Sequence, residues 1–330
     1  MPPSKRRIDR LWQNRGFFAW LLLPLSLVFR LLTAARRNLY RVRLLAAVRL
    51  PVPVIVVGNI VAGGAGKTPL TLWLVEELRR RGRRPGVVSR GYGGDNDGDG
   101  VREVLPGSAV DQVGDEPLLI RRRAGCPVFV GRDRAAAARA LLEAHDCDLI
   151  VCDDGLQHYA LARDVEIAVV DRRGFMNGWL LPAGPLREPV SRLGSVDAVV
   201  ANGWSGAAAF RMALRGDRFH RLGDEASACG VADLIGLRLH AVAGIGEPQR
   251  FFDHLTALGL SFAAHAFPDH HRYVAADLAF AGDAILITEK DAVKCAALAS
   301  VPVWVLPVAA TIEPDLAQFV LERIDGRPSA

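Results

Sequence analysis

Hydrophobic and polar positions fall in long blocks along this chain. The first block is apolar throughout. Gly16 to Phe29 reads GFFAWLLLPLSLVF without a charge, and extending it to Ala35 gives 20 residues with a single arginine, Arg30. As a helix this stretch would be about 30 Å long, the thickness of a hydrocarbon core. Arg30 stands toward one end, from which a long side chain can snorkel. Pro24 predicts a kink, and Trp12 and Trp20 suit a membrane–water boundary. Further on come short β-branched runs: PVIVVG (53–58), PGVVSRG (85–91), PVFVG (127–131), CDLIVCDD (147–154), VEIAVVD (165–171) and VDAVVANG (196–203). Runs of this kind predict strands buried on both faces, as in a parallel sheet. Between them, PLTLWLVEELRRRG (69–82) places Leu70, Leu74, Val75 and Leu78 at helical spacing, with Gly82 as a stop. RDRAAAARALLEAH (132–145) reads as a second helix.

This alternation predicts an α/β core, a parallel sheet with helices on both faces. After about residue 205 the pattern restarts in LRLHAVAGIG, FFDHLTALG, DAILITEKDAVK and VPVWVLPV, a second, smaller α/β unit. The expected organisation is a basic N-terminal anchor region over 1–48, a core over 49–204, and a smaller unit over 205–330 whose last helix has the option of packing back on the core. A chain of 330 residues accommodates two domains of ordinary size.

Charge changes the picture at one end only. Residues 1–49 hold eleven Lys or Arg and one acid, Asp9, so this segment carries +10 and the remaining chain −5 of the net +5. The basic balance therefore belongs to the N-terminus and not to a nucleic-acid-binding body. No aromatic–basic interleaving follows downstream, and nucleic acid is not an expected partner. Cys126, Cys147, Cys152, Cys229 and Cys295 form no CxxC pair, which reads as free thiols in a reducing compartment. For the apolar segment three readings compete. Lys5-Arg6-Arg7 before it and Thr33-Ala34-Ala35 after it resemble a signal peptide, a buried core helix is the plain alternative, and a membrane anchor is the third. Basic residues on both sides favour an anchor touching anionic lipid. The nucleotide motif that follows counts against export, because ATP is cytosolic.

That motif is GNIVAGGAGKTP (58–69). It lies between a predicted strand and a predicted helix, the context a phosphate-binding loop requires. Gly63, Gly64 and Gly66 let backbone N–H groups turn toward phosphate oxygens, in a loop completed by Val61, Ala62 and Ala65. Lys67 reaches β- and γ-phosphates and the Thr68 hydroxyl can ligate Mg²⁺. Val61 stands where GxxxxGK[ST] has its first glycine, and Pro69 sits in the first helical turn, where a missing N–H costs little. A turn with no nucleotide is the plain alternative. In LIVCDDGLQH (149–158) an apolar strand ends in Asp153 and Asp154, the place from which phosphate-loop enzymes hold Mg²⁺; a helix cap or turn pair is the plain alternative.

VGDEP puts Asp115 and Glu116, and FPDHHRY puts Asp269, His270 and His271, in turns that taken singly read as solvated. A kinase acting on a hydroxyl needs an acceptor for its proton, often a carboxylate, and a neighbouring histidine orients it or raises its basicity. The residues alone do not choose between the two turns. Other patterns fail. Asp95, Asp97, Asp99 and Gly100 begin a calcium loop whose twelfth position is Pro106 rather than Glu. ITEKD (287–291) has Lys290 one place late for the guanine-reading NKxD. His270 and His271 lack further zinc ligands.

Taken in order, VGNIVAGGAGKTP, VSRGYGG, VGDEP, DDGLQH, LLPAGPLREP, GIGEPQRFF, FPDHHRY and LITEKDAVK resemble the motifs of the tetraacyldisaccharide 4′-kinase (lipid A 4′-kinase) family, from about residue 10 to beyond 300. Val61 is a departure this family tolerates. The resemblance implies a phosphate-loop core with a smaller second domain and a site in the cleft between them. It implies Mg²⁺-dependent transfer of the ATP γ-phosphate to the 4′-hydroxyl of a tetraacylated glucosamine disaccharide 1-phosphate, at the cytoplasmic face of the bacterial inner membrane, with no obligatory protein partner. Asp115 would be the base and His270 its partner. Glu116, Asp153, Asp154 and Gln157 would lie, with Thr68, around Mg²⁺ or the phosphates. Ser89, Arg90, Tyr92 and Arg187 are candidates for the lipid sugar or its 1-phosphate, a task that suits the arginine fork; a structural salt bridge is the plain alternative for Arg187. A competing function is a membrane-tethered NTPase switch or chaperone that hydrolyses without a lipid acceptor. A non-enzymatic lipid-binding module would leave Lys67 and Thr68 without a role.

Overall fold

A computed structural model describes residues 11–91, 100–295 and 301–326. Tyr92 and the polar loop after it lie outside the described residues. The apolar N-terminal block forms one helix, α1 (Phe17–Arg41), running through Pro24. Only Ala19 and Ser26 of it are buried, while Phe17, Phe18, Leu21, Leu31 and Leu32 are each more than 60% exposed. A core helix would bury such side chains, so that reading is set aside. The few inward contacts are specific. Ser26 Oγ donates to Leu180 O and accepts from Ala183 N, both at 2.9 Å. Trp12 Nε1 donates to Pro182 O at 3.0 Å, Trp20 packs edge-on against Trp179, and Tyr40 stacks on Tyr159. The helix thus lies along the globular body from one end to the other.

The body begins with β1 (Val54–Gly58), which is buried at every position because its neighbours β5 (Leu149–Asp153) and β6 (Val165–Asp171) flank it in parallel. Between β1 and β5 come α2 (Lys67–Arg80), β2 (Pro85–Ser89), the short β3 (Arg102–Glu103), α3 (Val110–Val113), α4 (Asp115–Ala124), β4 (Val128–Val130) and α5 (Arg134–Ala144). After β6 follow β7 (Ala198–Asn202), β8 (Phe210–Arg215), β9 (Arg218–Arg221), β10 (Asp224–Gly230) and β11 (Leu239–Ala243). The remainder is α6 (Pro248–Ala257), β12 (Phe262–Ala266), β13 (Ala284–Thr288), α7 (Glu289–Ala292), β14 (Val303–Leu306), β15 (Ala309–Glu313) and α8 (Leu316–Asp325). The strands order as β15-β8-β7-β6-β1-β5-β2-β4-β3 in the larger sheet and β10-β9-β14-β13-β11-β12 in the smaller.

The sheets divide the chain elsewhere than at residue 204. β8 pairs in parallel with β7, and β15 returns after the second sheet to pair antiparallel with β8. Leu316, Ala317 and Val320 of α8 enter the core of the larger sheet. The change of sheet therefore comes after Arg215, and the last strand and helix belong to the larger unit. β8 and β15 pair across almost a hundred residues of sequence, so neither run signals the other locally.

Candidate functional site: a phosphate-binding loop facing an acid–histidine pair

The carboxyl ends of β1, β5, β6 and β7 converge on one edge of the larger sheet, where open α/β sheets place their ligands. The loop after β1 crosses this edge. Gly63 and Gly66 adopt φ values of 98° and 91°, open to glycine and strained for other residues. Gly66 is the N-cap of α2, so the first N–H groups of the helix point into the loop. Val61 takes a different path from the glycine it replaces. It is buried among Ile60, Leu180 and Leu186, forms an antiparallel bridge with Leu186, and is followed by an Ala62 N–H bond to Pro185 O at 2.8 Å. The PLREP segment thus braces the start of the loop, and no turn glycine is required there.

Neighbouring strand ends brace the rest. Asn202 Nδ2, at the end of β7, donates to Ala65 O at 2.9 Å. Arg173, just past β6, donates to Gly64 O at 3.0 Å while paired with Asp171. Gln157 donates to Asn59 O and to Glu188, both at 3.1 Å. Asn202 and Arg173 were missed in the sequence; the available signal was their position at carboxyl ends of predicted strands.

Lys67 and Thr68 open α2 and are nearly buried. Lys67 Nζ lies 3.6 Å from Asp154, which also accepts from Arg187 Nη1 at 3.2 Å. Burial favours the protonated acid, but Lys67 and Arg187 outweigh it and hold Asp154 below the usual carboxylate range. Asp153 behaves oppositely. It is fully buried, and burial together with the charges of Glu116 and Asp154 pushes its pKa up to about 7. Its Oδ1 accepts from Thr71 at 3.0 Å, and its Oδ2 has no hydrogen-bond partner among the described residues.

A buried, half-satisfied carboxylate, tied to α2 through Thr71, fits a divalent cation. No cluster of three His, Cys, Asp or Glu able to hold a metal occurs among the described residues. A Mg²⁺ site does not require one, because that ion can take one or two carboxylates and complete its shell with phosphates and water.

Asp115 is not in a turn, as VGDEP suggested, but begins α4, where the helix N-terminus favours a negative charge. It is 2% exposed. His270 Nδ1 donates to its two oxygens at 2.9 and 3.0 Å. Lys294 and Lys290 lie 3.6 and 4.0 Å away. Burial would raise the Asp115 pKa, yet the His270 bond and the two lysines bring it below its ordinary value. The same bond to Asp115 raises His270. The two turns that the residues alone could not choose between therefore meet as one pair. His271 turns away, to Asp277 at 2.9 Å.

Lys290, one place late for a guanine reader, has another partner set. Its Nζ donates to Glu116 at 2.7 Å and to Asp269 at 3.0 Å. Glu116, expected near Mg²⁺, thus holds an ammonium here. Between the sheets lies a cavity of about 490 Å³, lined by Gly66, Lys67 and Thr68 from the loop and by Gly246, Phe251 and Lys290 from the smaller unit. Its size suits a nucleotide. Ser89 is buried at the end of β2 and Arg90 is exposed beside it.

Comparison with known proteins identifies the family of the chain. Residues 18–325 match the family model for tetraacyldisaccharide-1-P 4′-kinase. Proteins named tetraacyldisaccharide 4′-kinase are 57% identical in Azoarcus sp. (97% of this chain, 96% of that protein) and 54% identical in Dechloromonas aromatica (98% and 99%). The crystal structure of LpxK from Aquifex aeolicus, in complex with ATP, superposes with a TM-score of 0.79 at 28% identity, covering 93% of this chain and all of that one. The chain belongs to the tetraacyldisaccharide 4′-kinase family and is a phosphate-loop lipid kinase of lipid A biosynthesis.

Proposed function

We propose that Asp115, kept ionised inside the protein, is the acceptor for the proton of the lipid 4′-hydroxyl as the ATP γ-phosphate is transferred. The observation that carries this reading is the Asp115–His270 pair, whose neighbours Glu116 and Lys290 line the same cavity as the phosphate loop. A carboxylate held below its ordinary pKa is deprotonated at neutral pH and available as a base. His270 orients it. Lys67 and the N–H groups at the start of α2 face the β- and γ-phosphates and offset charge that develops during an in-line transfer. Thr68 and Asp153 would hold Mg²⁺, with Asp154, Glu116 and Gln157 around it; when bound, the ion would neutralise phosphate oxygens. Asp154 keeps Lys67 aimed at the loop. Ser89, Arg90 and Tyr92 would meet the lipid sugar or its 1-phosphate. Arg187 commits Nη1 to Asp154 and would offer the other arm of its fork to the same group.

The acceptor is a lipid, and α1 supplies the means of reaching it. A helix tied to the body from Trp12 to Tyr40 has no free end with which to cross a bilayer. It would lie in one leaflet with its apolar face down and Arg36, Arg37, Arg41 and Arg43 toward anionic headgroups. Because ATP is cytosolic, that leaflet would be the cytoplasmic one of the bacterial inner membrane.

The test is transfer of ³²P from γ-labelled ATP to purified tetraacyldisaccharide 1-phosphate in detergent with Mg²⁺, beside a control without lipid. Labelled lipid with little free phosphate is expected. Free phosphate without labelled lipid would favour an NTPase switch.

A further inference from the structure

We propose that Lys290 is a positioning residue, a clasp that fixes the distance between the two halves of the Asp115–His270 pair. The inference rests on the role assigned above to that pair and extends it to a residue of the smaller sheet. Glu116 follows Asp115 at the start of α4, and Asp269 precedes His270 in its loop. Lys290 Nζ reaches both flanking acids, Glu116 at 2.7 Å and Asp269 at 3.0 Å. Two adjacent rungs therefore join the same two backbone segments, one direct from Asp115 to His270 and one from Glu116 through Lys290 to Asp269.

The clasp is itself held firmly. Thr288 caps the short α7 that carries Lys290, through bonds with Asp291. Asp291, fully buried, accepts from Gly244 N and Tyr273 Oη at 3.1 Å and pairs with Lys294 at 2.9 Å. The loop it grips needs holding. His270 has φ of 60°, an uncommon conformation for a residue with a side chain. Without the ammonium, Glu116 and Asp269 would lose the cation that both reach, and this rung would turn from attraction to repulsion.

Removing Lys290 should therefore displace His270 from Asp115 without touching the phosphate loop. A displacement of about 1 Å at a reacting centre lowers turnover by about 100-fold. The experiment uses the full chain in detergent with Mg²⁺, ATP and the lipid acceptor, and measures kcat and ATP affinity. Lys290→Met should lower kcat about 100-fold and leave ATP binding within about threefold. Adding Asp269→Asn to Lys290→Met removes the repulsion and should recover about tenfold of the loss. Weakened ATP binding with little change in kcat would make Lys290 a nucleotide contact and overturn the proposal, as would a double variant no better than the single. If Lys290→Met does not fold, Lys290→Arg and Asp269→Asn carry the test: both should lower kcat with ATP binding intact, and unchanged kcat in both overturns the proposal. Asp115→Ala serves as a separate control. If it still transfers phosphate, the role of the pair falls, whatever Lys290 does.

Discussion

Gly66→Ala offers a test of how the loop is held. A methyl group there would lie 2.2 Å from Asn202 Nδ2 and 3.2 Å from Met212 Cε. The first distance is well inside contact, so Asn202 must move. Asn202 is 2% exposed; its Nδ2 donates to Ala65 O and its Oδ1 accepts from Arg250. Displacing it breaks buried hydrogen bonds, at about 1–3 kcal/mol. Holding alanine at φ 91° adds about 1–2 kcal/mol. If the whole cost of about 2–5 kcal/mol falls on the binding-competent loop, ATP affinity drops by about 30-fold to several thousand-fold. Equilibrium dialysis with labelled ATP reads this directly, with Tm measured in parallel to separate loop damage from unfolding. Asn202→Ala in the Gly66→Ala background removes the obstruction, and the Asn202 hydrogen bonds that Gly66→Ala already breaks are not lost a second time, so the two substitutions should be strongly non-additive. Gly66→Ala binding ATP within threefold of the parent, or additive losses in the double variant, would refute the reasoning.

Other expectations follow from the same geometry. Lys67→Ala should lower kcat by at least about 100-fold, measured with saturating ATP and lipid. Asp115→Ala should abolish transfer while ATP binding stays within about threefold; lost ATP binding would recast Asp115 as a structural or metal-binding residue. Asp153 has its pKa raised to about 7 by burial and by Glu116 and Asp154, so it must lose a proton to ligate Mg²⁺. The Mg²⁺ concentration giving half-maximal activity should fall as pH rises from about 6 to 8, and Asp153→Asn should flatten that dependence. Deleting residues 1–35 should reduce action on vesicle-embedded substrate more than on detergent-dispersed substrate. Equal losses would mean that the Ser26 contacts with Leu180 and Ala183 make the helix a part of the fold.

The larger sheet was legible where its strands are buried on both faces, because β1, β5 and β7 read as apolar runs and β6 does so but for Glu166 and the closing Asp171. The loop was legible for a related reason: glycines and a lysine between such a strand and a helix have few other uses. Val61 looked like a defect from the motif alone, since the bridge that replaces the missing glycine comes from Leu186, far along the chain. Lys290 stayed hidden for the same reason, its first partner, Glu116, being 174 residues away. Asp153 and Asp154 read as equivalent acids. They differ because Asp154, at φ 49°, turns out toward Lys67 and Arg187, while Asp153 stays in the strand and faces inward. Spacing in sequence carries no information about which of two neighbours faces a cation.

The return of β15 to the larger sheet has a consequence for how the molecule is divided. The smaller sheet is entered after Arg215 and left before Ala309, and the two crossings touch: a side chain on Gly216 would meet Pro307 O at 2.2 Å. Topologically the smaller unit is an insertion into a surface connection of the larger one, with its entry and exit side by side. Every strand pairing lies wholly within one sheet or the other, so a short turn joining β8 to β15 in place of the smaller unit severs no ladder. Two adjacent crossings also define an axis, and swinging about it is the motion that leaves both sheets whole. Such a swing would carry Lys290 and His270 as one rigid edge toward or away from Glu116 and Asp115.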